Sequence, residues 1–214
     1  MLNLQRFVVN MIEENCYLLW DETGEAALVD CGAYFDEDRE HIRNFIAERK
    51  LNVRLHLLTH GHFDHIFGAQ FVADTYGLLP QMAKTEAENY SSQKEQLRAF
   101  LRRDLPLSIP PIGKLLDDNE KVRFGNQEFT VIYTPGHTPG GICYYNAEAK
   151  ILLSGDSLFQ GSIGRTDFPG GNGRDLVESL SRRVLTLPED VTVFPGHGPE
   201  TTIGEEKRHN PYFG

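Results

Sequence analysis

Thr59-His60-Gly61-His62-Phe63-Asp64-His65 is the stretch around which the chain is organised. Four potential metal ligands fall within six positions. Residues 53–58, ahead of it, form an apolar run that predicts a buried strand. Residues 66–76, behind it, carry an apolar face at helical spacing. The cluster is therefore expected on a strand-to-helix loop, at the carboxyl end of a strand, where α/β sheets gather their sites. In extended chain, residues two apart point the same way, so His60 and His62 can grip one cation together. Gly61 between them lets the backbone come close. Asp64 and His65 follow the turn and face elsewhere, which suits a second cation. The plainer alternative is a polar loop that collects three of the chain's eight histidines by chance.

Three later segments repeat one arrangement: an apolar strand, a Gly or Pro, then a ligand-type residue. They deliver His137 from Thr134-Pro135-Gly136-His137, Asp156 from Ser154-Gly155-Asp156, and His197 from Pro195-Gly196-His197. Imidazole and carboxylate suit zinc, and also iron or manganese. Three histidines can hold one metal with room for water. An aspartate and two histidines can hold another, and the remaining aspartate can bridge. Two metals about 3.5–4 Å apart can share and activate a hydroxide at neutral pH.

Around these motifs the chain reads as alternating strands and helices. Strands are expected at 4–9, 15–20 and 26–29, a helix at 36–50, and a short strand at 78–83 after a helix stop at Gly77. A hairpin follows at 122–124 and 128–133, turning at Gly125-Asn126. Further strands fall at 142–145, 151–153 and 191–194, with a helix at 174–187 between the last two. Thr202 and Glu205 have the capping-box spacing of a short terminal helix. Residues 84–104 are polar and helical, with Leu97, Phe100, Leu101 and Leu105 on one side. Lys94, Arg98, Arg102 and Arg103 make this the most basic stretch. It is either a solvated face or a cover that attracts an anionic substrate. Residues 106–113 are a non-regular connection. The two halves share an order of strands, helix, then a strand leading to ligand-type residues, which suggests two sheet-and-helix halves packed face to face.

With 214 residues, 40% hydrophobic and 24% charged, one domain spanning 1–214 is expected. A net charge of −10 argues against nucleic acid as a partner. No apolar run is long enough for a membrane span, and the start lacks the pattern of a signal peptide. Cys16, Cys31 and Cys143 form no CxxC and are odd in number, which fits free thiols in a reducing, cytoplasmic setting.

His60-x-His62-x-Asp64-His65, followed by His137, Asp156 and His197, resembles the metallo-β-lactamase fold superfamily. Asp30, at a strand end, matches a further motif. The resemblance covers nearly the whole chain in five ordered motifs. It implies an α/β (α+β) fold, the αββα sandwich: two mixed sheets face to face with helices outside. It also implies that His60, His62 and His137 bind a first metal and Asp64, His65 and His197 a second, with Asp156 bridging. Asp64 would also orient the hydroxide held between the metals, and Asp30 would support the ligands from behind. The expected cofactors are two divalent ions, zinc foremost, with iron or manganese as alternatives. His41, His56 and His209 match no motif; His56 is expected in a core or surface strand position, the other two on solvated helices.

Within that superfamily the chain looks most like the glyoxalase II group, which hydrolyses hydroxyacyl-glutathione thioesters. Asp156, the stretch Gly164-Arg165-Thr166-Asp167-Phe168 and the ending Gly196-His197-Gly198-Pro199 resemble its short bacterial members. Two features depart from the group: the helical carboxyl-terminal domain that supplies basic residues for glutathione, and the tyrosine after the last histidine. Arg165 is the candidate for anion recognition, unless it is spent on Asp167. A small-molecule thioester or acyl compound is the expected substrate, glutathione one carrier, and a homodimer is compatible. The competing expectations are a persulfide dioxygenase using a single iron and a non-catalytic module of the same fold. The dioxygenases typically carry a cysteine close to the arginine, and Gly161-Ser162-Ile163-Gly164 has none. Non-catalytic members usually lose ligands, and all seven are present.

Overall fold

The computed structural model describes residues 1–102 and 105–213, the side chains of 99–101 excepted. Arg103, Asp104 and the side chains of Phe100 and Leu101 thus lie outside the described residues. The amino-terminal alternation folds as a meander of β1 (Asn3–Val9), β2 (Glu14–Trp20) and β3 (Glu25–Val29), paired antiparallel. β4 (Asn52–Leu57), β5 (Pro80–Ala83) and β6 (Lys114–Leu116) then add in parallel, giving one mixed sheet in the order β1 to β6. Parallel neighbours need long crossovers. These are α1 (Asp36–Glu48), then α2 (Phe63–Ile66) with α3 (Ala69–Tyr76), then α4 (Ala87–Ser91) with α5 (Gln93–Leu101).

The second sheet runs β14-β13-β10-β9-β8-β7. Its strands are β7 (Lys121–Phe124), β8 (Gln127–Tyr133), β9 (Ile142–Asn146), β10 (Ile151–Gly155), β13 (Thr192–Pro195) and β14 (Thr201–Thr202). A ribbon of β11 (Leu158–Phe159) and β12 (Ser162–Ile163) leads to α6 (Gly173–Ser179), and α7 (Ile203–His209) closes the described chain. Within this sheet, among the described residues, only β10 and β13 pair in parallel.

The apolar residues sort into layers. Tyr17, Leu19 and Val29 of the first sheet meet Phe129, Val131, Tyr144 and Leu153 of the second in a core between the sheets. Phe7, Leu18 and Leu28 pack outward against Ile42 and Ile46 of α1. Leu152 and Val193 pack outward against Leu176 of α6 and Ile203 of α7. This is the αββα order. Full burial of a side chain such as Leu18 or Phe129 contributes roughly 1.5–3 kcal/mol. Among the described residues, no helix is long and apolar enough to cross a membrane.

Several elements differ from the sequence expectation. The helix expected over 66–76 is two pieces. Gly68 interrupts it, packing so close to residue 31 that a Cβ would lie 2.8 Å from the Cys31 carbonyl oxygen. Its N–H donates to that same oxygen at 2.9 Å. Residues 84–104 are likewise broken, into a turn at Lys84–Glu86, then α4 and α5. The helix over 174–187 ends at Ser179 and widens into a π turn over Leu180–Val184, which still buries Leu176, Leu180 and Val184. β6 was not predicted: of its three residues only Leu116 is buried, so no alternation marks it.

One polar staple joins the sheets at the end remote from the histidines. Asp21 lies buried in the β2–β3 turn. It accepts from Thr23 N (3.0 Å) and Thr23 Oγ1 (2.6 Å), and across the sandwich from Asn126 N (2.6 Å) and Gln127 Nε2 (3.2 Å). Gly125 keeps a left-handed φ of 51°, and a Cβ there would strike Asp21 Oδ1 at 2.4 Å. Burial alone would raise the Asp21 pKa, but the donors led by Thr23 hold it at about 2. Its contribution is therefore complete above the ordinary value of 3.8 and lost as the pH falls through about 2. Asp21→Ala strands several of these donors and is expected to cost about 2–3 kcal/mol in urea unfolding at pH 7. A loss under about 0.5 kcal/mol, the range of ordinary surface substitutions, would refute the staple.

Candidate metal centre

Every ligand-type side chain comes from a segment that follows the carboxyl end of a strand, the edge at which α/β sheets present their sites. β4 runs into His60 and His62. α2 starts at Phe63, so Asp64 and His65 ride its first turn rather than the loop before it. β8 leads to His137, β10 to Asp156, β13 to His197 and β3 to Asp30. Cross-sheet hydrogen bonds bring these ends together. Tyr144 Oη donates to Leu58 O (2.8 Å), Ile142 N to Thr59 O (2.9 Å) and Tyr17 Oη to Pro195 O (2.7 Å).

The ligand atoms of His60, His62 and His137 lie within 4.8 Å of one another, and so do those of Asp64, His65 and His197. Asp156 spans the two groups. Its Oδ1 is 3.3 Å from His65 Nε2, and its Oδ2 is 3.6 Å from His137 Nε2 and 3.8 Å from His197 Nε2. Asp30 stands behind, with Oδ2 3.1 Å from His65 Nδ1. All seven residues singled out from the sequence thus converge. His56 stays outside, buried in the sheet, where burial pushes its pKa down to about 3. His41 and His209 are exposed.

Neighbouring hydrogen bonds fix which ring nitrogen faces inward. The Thr59 hydroxyl donates to Asp30 Oδ2 (2.6 Å), so toward His60 Nδ1, 3.1 Å away, it can only accept. His60 therefore carries its proton on Nδ1 and turns an Nε2 lone pair inward. His137 Nδ1 donates to the Arg165 carbonyl (2.7 Å), with the same result. The Nε2 atoms of His60, His62, His65 and His137, and Oδ1 of Asp156, are buried and have no hydrogen-bond partner. Each buried polar group left unsatisfied costs about 1–3 kcal/mol. Five of them converging on one place fit divalent cations, which would accept those lone pairs.

The charges agree. Burial, reinforced by the neighbouring imidazoles, holds His60 well below the ordinary histidine value, and burial with His137 brings His62 to about 4. Both are neutral donors at neutral pH. Burial also works against charge on His65, yet the carboxylates of Asp156 and Asp64 outweigh it and hold that pKa well above normal. Asp156 is held well below its ordinary value by His65 in spite of burial. The carboxylate end of the cluster thus calls for positive charge.

The cluster floors a cavity of about 340 Å³ lined by Met11, Ile12, Phe63, Leu97, Leu105 and Phe168, with Arg165 at its edge. Leu97 of α5 and Leu105 thus stand against the site. The Arg165 guanidinium is spent on Asp167, bonding it twice at 2.7 Å, and stacks 3.9 Å from the Phe168 ring centre. A larger groove of about 840 Å³ beside α1 and α3 contains none of the histidines.

The Metallo-beta-lactamase superfamily model matches residues 12–197. The chain belongs to the metallo-β-lactamase superfamily. Its curated relatives include a protein of Haemophilus influenzae named hydroxyacylglutathione hydrolase GloC, 35% identical, with 99% of this chain and 98% of that protein covered. Among solved structures it is similar to BLEG-1, a B3 metallo-beta-lactamase, with a TM-score of 0.88 and 34% identity over 99% of each chain. It is also similar to TTHA1623 in a di-iron-bound form, with a TM-score of 0.84 and 32% identity over 97% of this chain and 99% of that one. The expected sandwich is the superfamily's fold, and the His/Asp cluster is of its metal-binding type.

Asp30 apart, the sequence did not single out the partners that position these side chains. Thr59 stood in view in the central stretch without a role. Arg165 acts on His137 through its backbone carbonyl, which its side chain could not announce. Gly196 is required by close approach: a Cβ there would lie 2.2 Å from Asp156 Oδ1 and 2.6 Å from His65 Cε1. Its place between Pro195 and His197 was the only available signal.

Proposed function

We propose that this metallo-hydrolase superfamily member hydrolyses small-molecule thioesters at a dinuclear centre. The observation that carries the reading is the convergence of five buried polar atoms without hydrogen-bond partners, four from imidazoles and one from Asp156. His60, His62 and His137 would hold one divalent ion and Asp64, His65 and His197 the other, with Asp156 between them. Zinc is the first candidate, and iron is suggested by the di-iron relative. Ions so held supply Lewis acidity, easing water ionisation near neutral pH and polarising an acyl carbonyl.

The chain's own residues do the rest. Asp30 and Thr59 lock the His60 imidazole so that its Nε2 lone pair turns away from them, toward the other histidines. Asp64 reaches that cavity and would orient the attacking water. The apolar wall of Met11, Ile12, Phe63 and Phe168 excludes water and seats the acyl or thiol portion. Because Asp167 occupies Arg165, an anionic substrate must compete for that guanidinium. A glutathione thioester is the first substrate to try, on the strength of the Haemophilus influenzae relative.

The test combines metal analysis of the purified chain with two assays: lactoyl-glutathione hydrolysis, and oxygen uptake on glutathione persulfide. Two metals per chain with thioester turnover is the expected result. A single iron with oxygen uptake and no hydrolysis would replace this reading with a dioxygenase.

A further inference from the structure

Glu86 is fully buried in a segment whose sequence reads as polar and solvated. Its carboxylate accepts four hydrogen bonds. Oε1 takes Gly61 N (2.8 Å) and Asn89 Nδ2 (2.5 Å), and Oε2 takes Thr138 Oγ1 (2.8 Å) and Gly140 N (2.8 Å). Gly61 separates His60 from His62, and Thr138 follows His137. One carboxylate therefore touches both loops that deliver the three-histidine group, one from each sheet.

We propose that Glu86 is a positioning residue, which sets the spacing of His60 and His62 against His137 and so tunes metal affinity at that group. The inference rests on the dinuclear reading above.

A buried charge is expensive unless it is fully hydrogen-bonded. Here four donors meet it, and three of them cannot readily be reversed. Gly61 and Gly140 offer backbone N–H groups. Asn89 is fixed because its Oδ1 accepts from Gln93 Nε2 (3.1 Å) and Gln96 Nε2 (3.0 Å), which leaves Nδ2 to face Glu86. Only the Thr138 hydroxyl can rotate. A glutamine at 86 would turn its own NH2 toward Gly61 and Asn89, or toward Gly140. Donor would face donor in either orientation, and one loop would move away. Close packing leaves no slack to absorb this: a Cβ at Gly140 would lie 2.3 Å from Glu86 N, and one at Gly61 would lie 3.0 Å from Tyr90 Cα.

Glu86→Gln and Thr138→Val test the proposal by zinc titration against a chromogenic chelator, with cobalt(II) spectra as a second signature. His62→Ala and His197→Ala each cripple one group and so assign the two binding steps. Glu86→Gln is expected to weaken the step lost in His62→Ala by about 10–100-fold, the range seen when outer partners of ligands are removed. The step lost in His197→Ala should change by less than about 3-fold, within the effect of one ordinary hydrogen bond. Thr138→Val removes one of the four bonds and should give a smaller loss, about 3–10-fold, at the same step. It carries the test if Glu86→Gln does not fold. Equal weakening of both steps marks a merely structural role and overturns the proposal, as does no weakening. Wild-type protein that takes up no zinc or cobalt overturns the metal reading and this proposal with it. Wild-type uptake with unaltered variants overturns this proposal alone.

Discussion

Asp156→Asn is expected to lower thioester kcat/KM by about 10³-fold or more, equivalent to roughly 4 kcal/mol of barrier. The position explains the size. Asp156 faces both groups, with Oδ1 toward His65 and Oδ2 toward His137 and His197. Asparagine keeps the shape but removes the charge. It also turns an NH2 donor toward atoms that must accept nothing but a cation. Because His65 holds the Asp156 carboxylate ionised in the metal-free fold, the melting temperature of metal-free protein should fall as well, since the substitution removes the charge that balances this imidazole. Metal content should fall below that of the wild-type chain. A variant that keeps full activity and full metal content would remove Asp156 from the centre.

The same contrast between a visible ligand and its invisible support runs through the whole site. His60, His62, Asp64, His65, His137, Asp156 and His197 were legible because each follows an apolar run and a Gly, Pro or turn, and strand ends converge in such sheets. Periodicity placed the two halves for a similar reason: alternation in β1 and the spacing of Leu176, Leu180 and Val184 are local properties of the chain. What aims the ligands is not local. Glu86 is followed by a helix whose outward residues are polar, and its burial depends on two loops, 25 and 52 residues away in sequence. Glu14 is buried beside His65 at 3.8 Å, although it lies just outside the strand expected at 15–20 and no motif includes it. The breaks at Gly68 and Ser92 were equally hidden, because helical patterning continues across them and tertiary contact decides. Arg165 shows the limit from the other side. Its guanidinium suggested anion binding, whereas the structure gives that charge to Asp167 and uses the backbone oxygen for His137.

If the cluster is a metal centre, much of the protein's thermal stability should depend on the ions, since a ligand that binds only the folded chain stabilises it by mass action. At free metal about 1,000 times the dissociation constant, one site contributes about 4 kcal/mol. For a chain of 214 residues, each kcal/mol moves the melting temperature by about 2–4 °C. Stripping a single site should therefore lower the melting temperature by about 8–16 °C. The cause is specific. Without cations the imidazole lone pairs of His60, His62 and His137 stay buried and unmatched, and Asp64 and Asp156 share a pocket with only histidines to balance them. Calorimetry before and after chelation, with the metal content measured on each sample, reads the shift, and restoring zinc should reverse it. His62→Ala supplies the internal control. It lacks one ligand of the three-histidine group, so chelation should lower its melting temperature by less than it does in the wild-type chain. Equal shifts in the two proteins would place the stabilising ion somewhere other than at these histidines. Complete removal of metal with no shift would mean that the five unpartnered polar atoms are satisfied by something other than a cation.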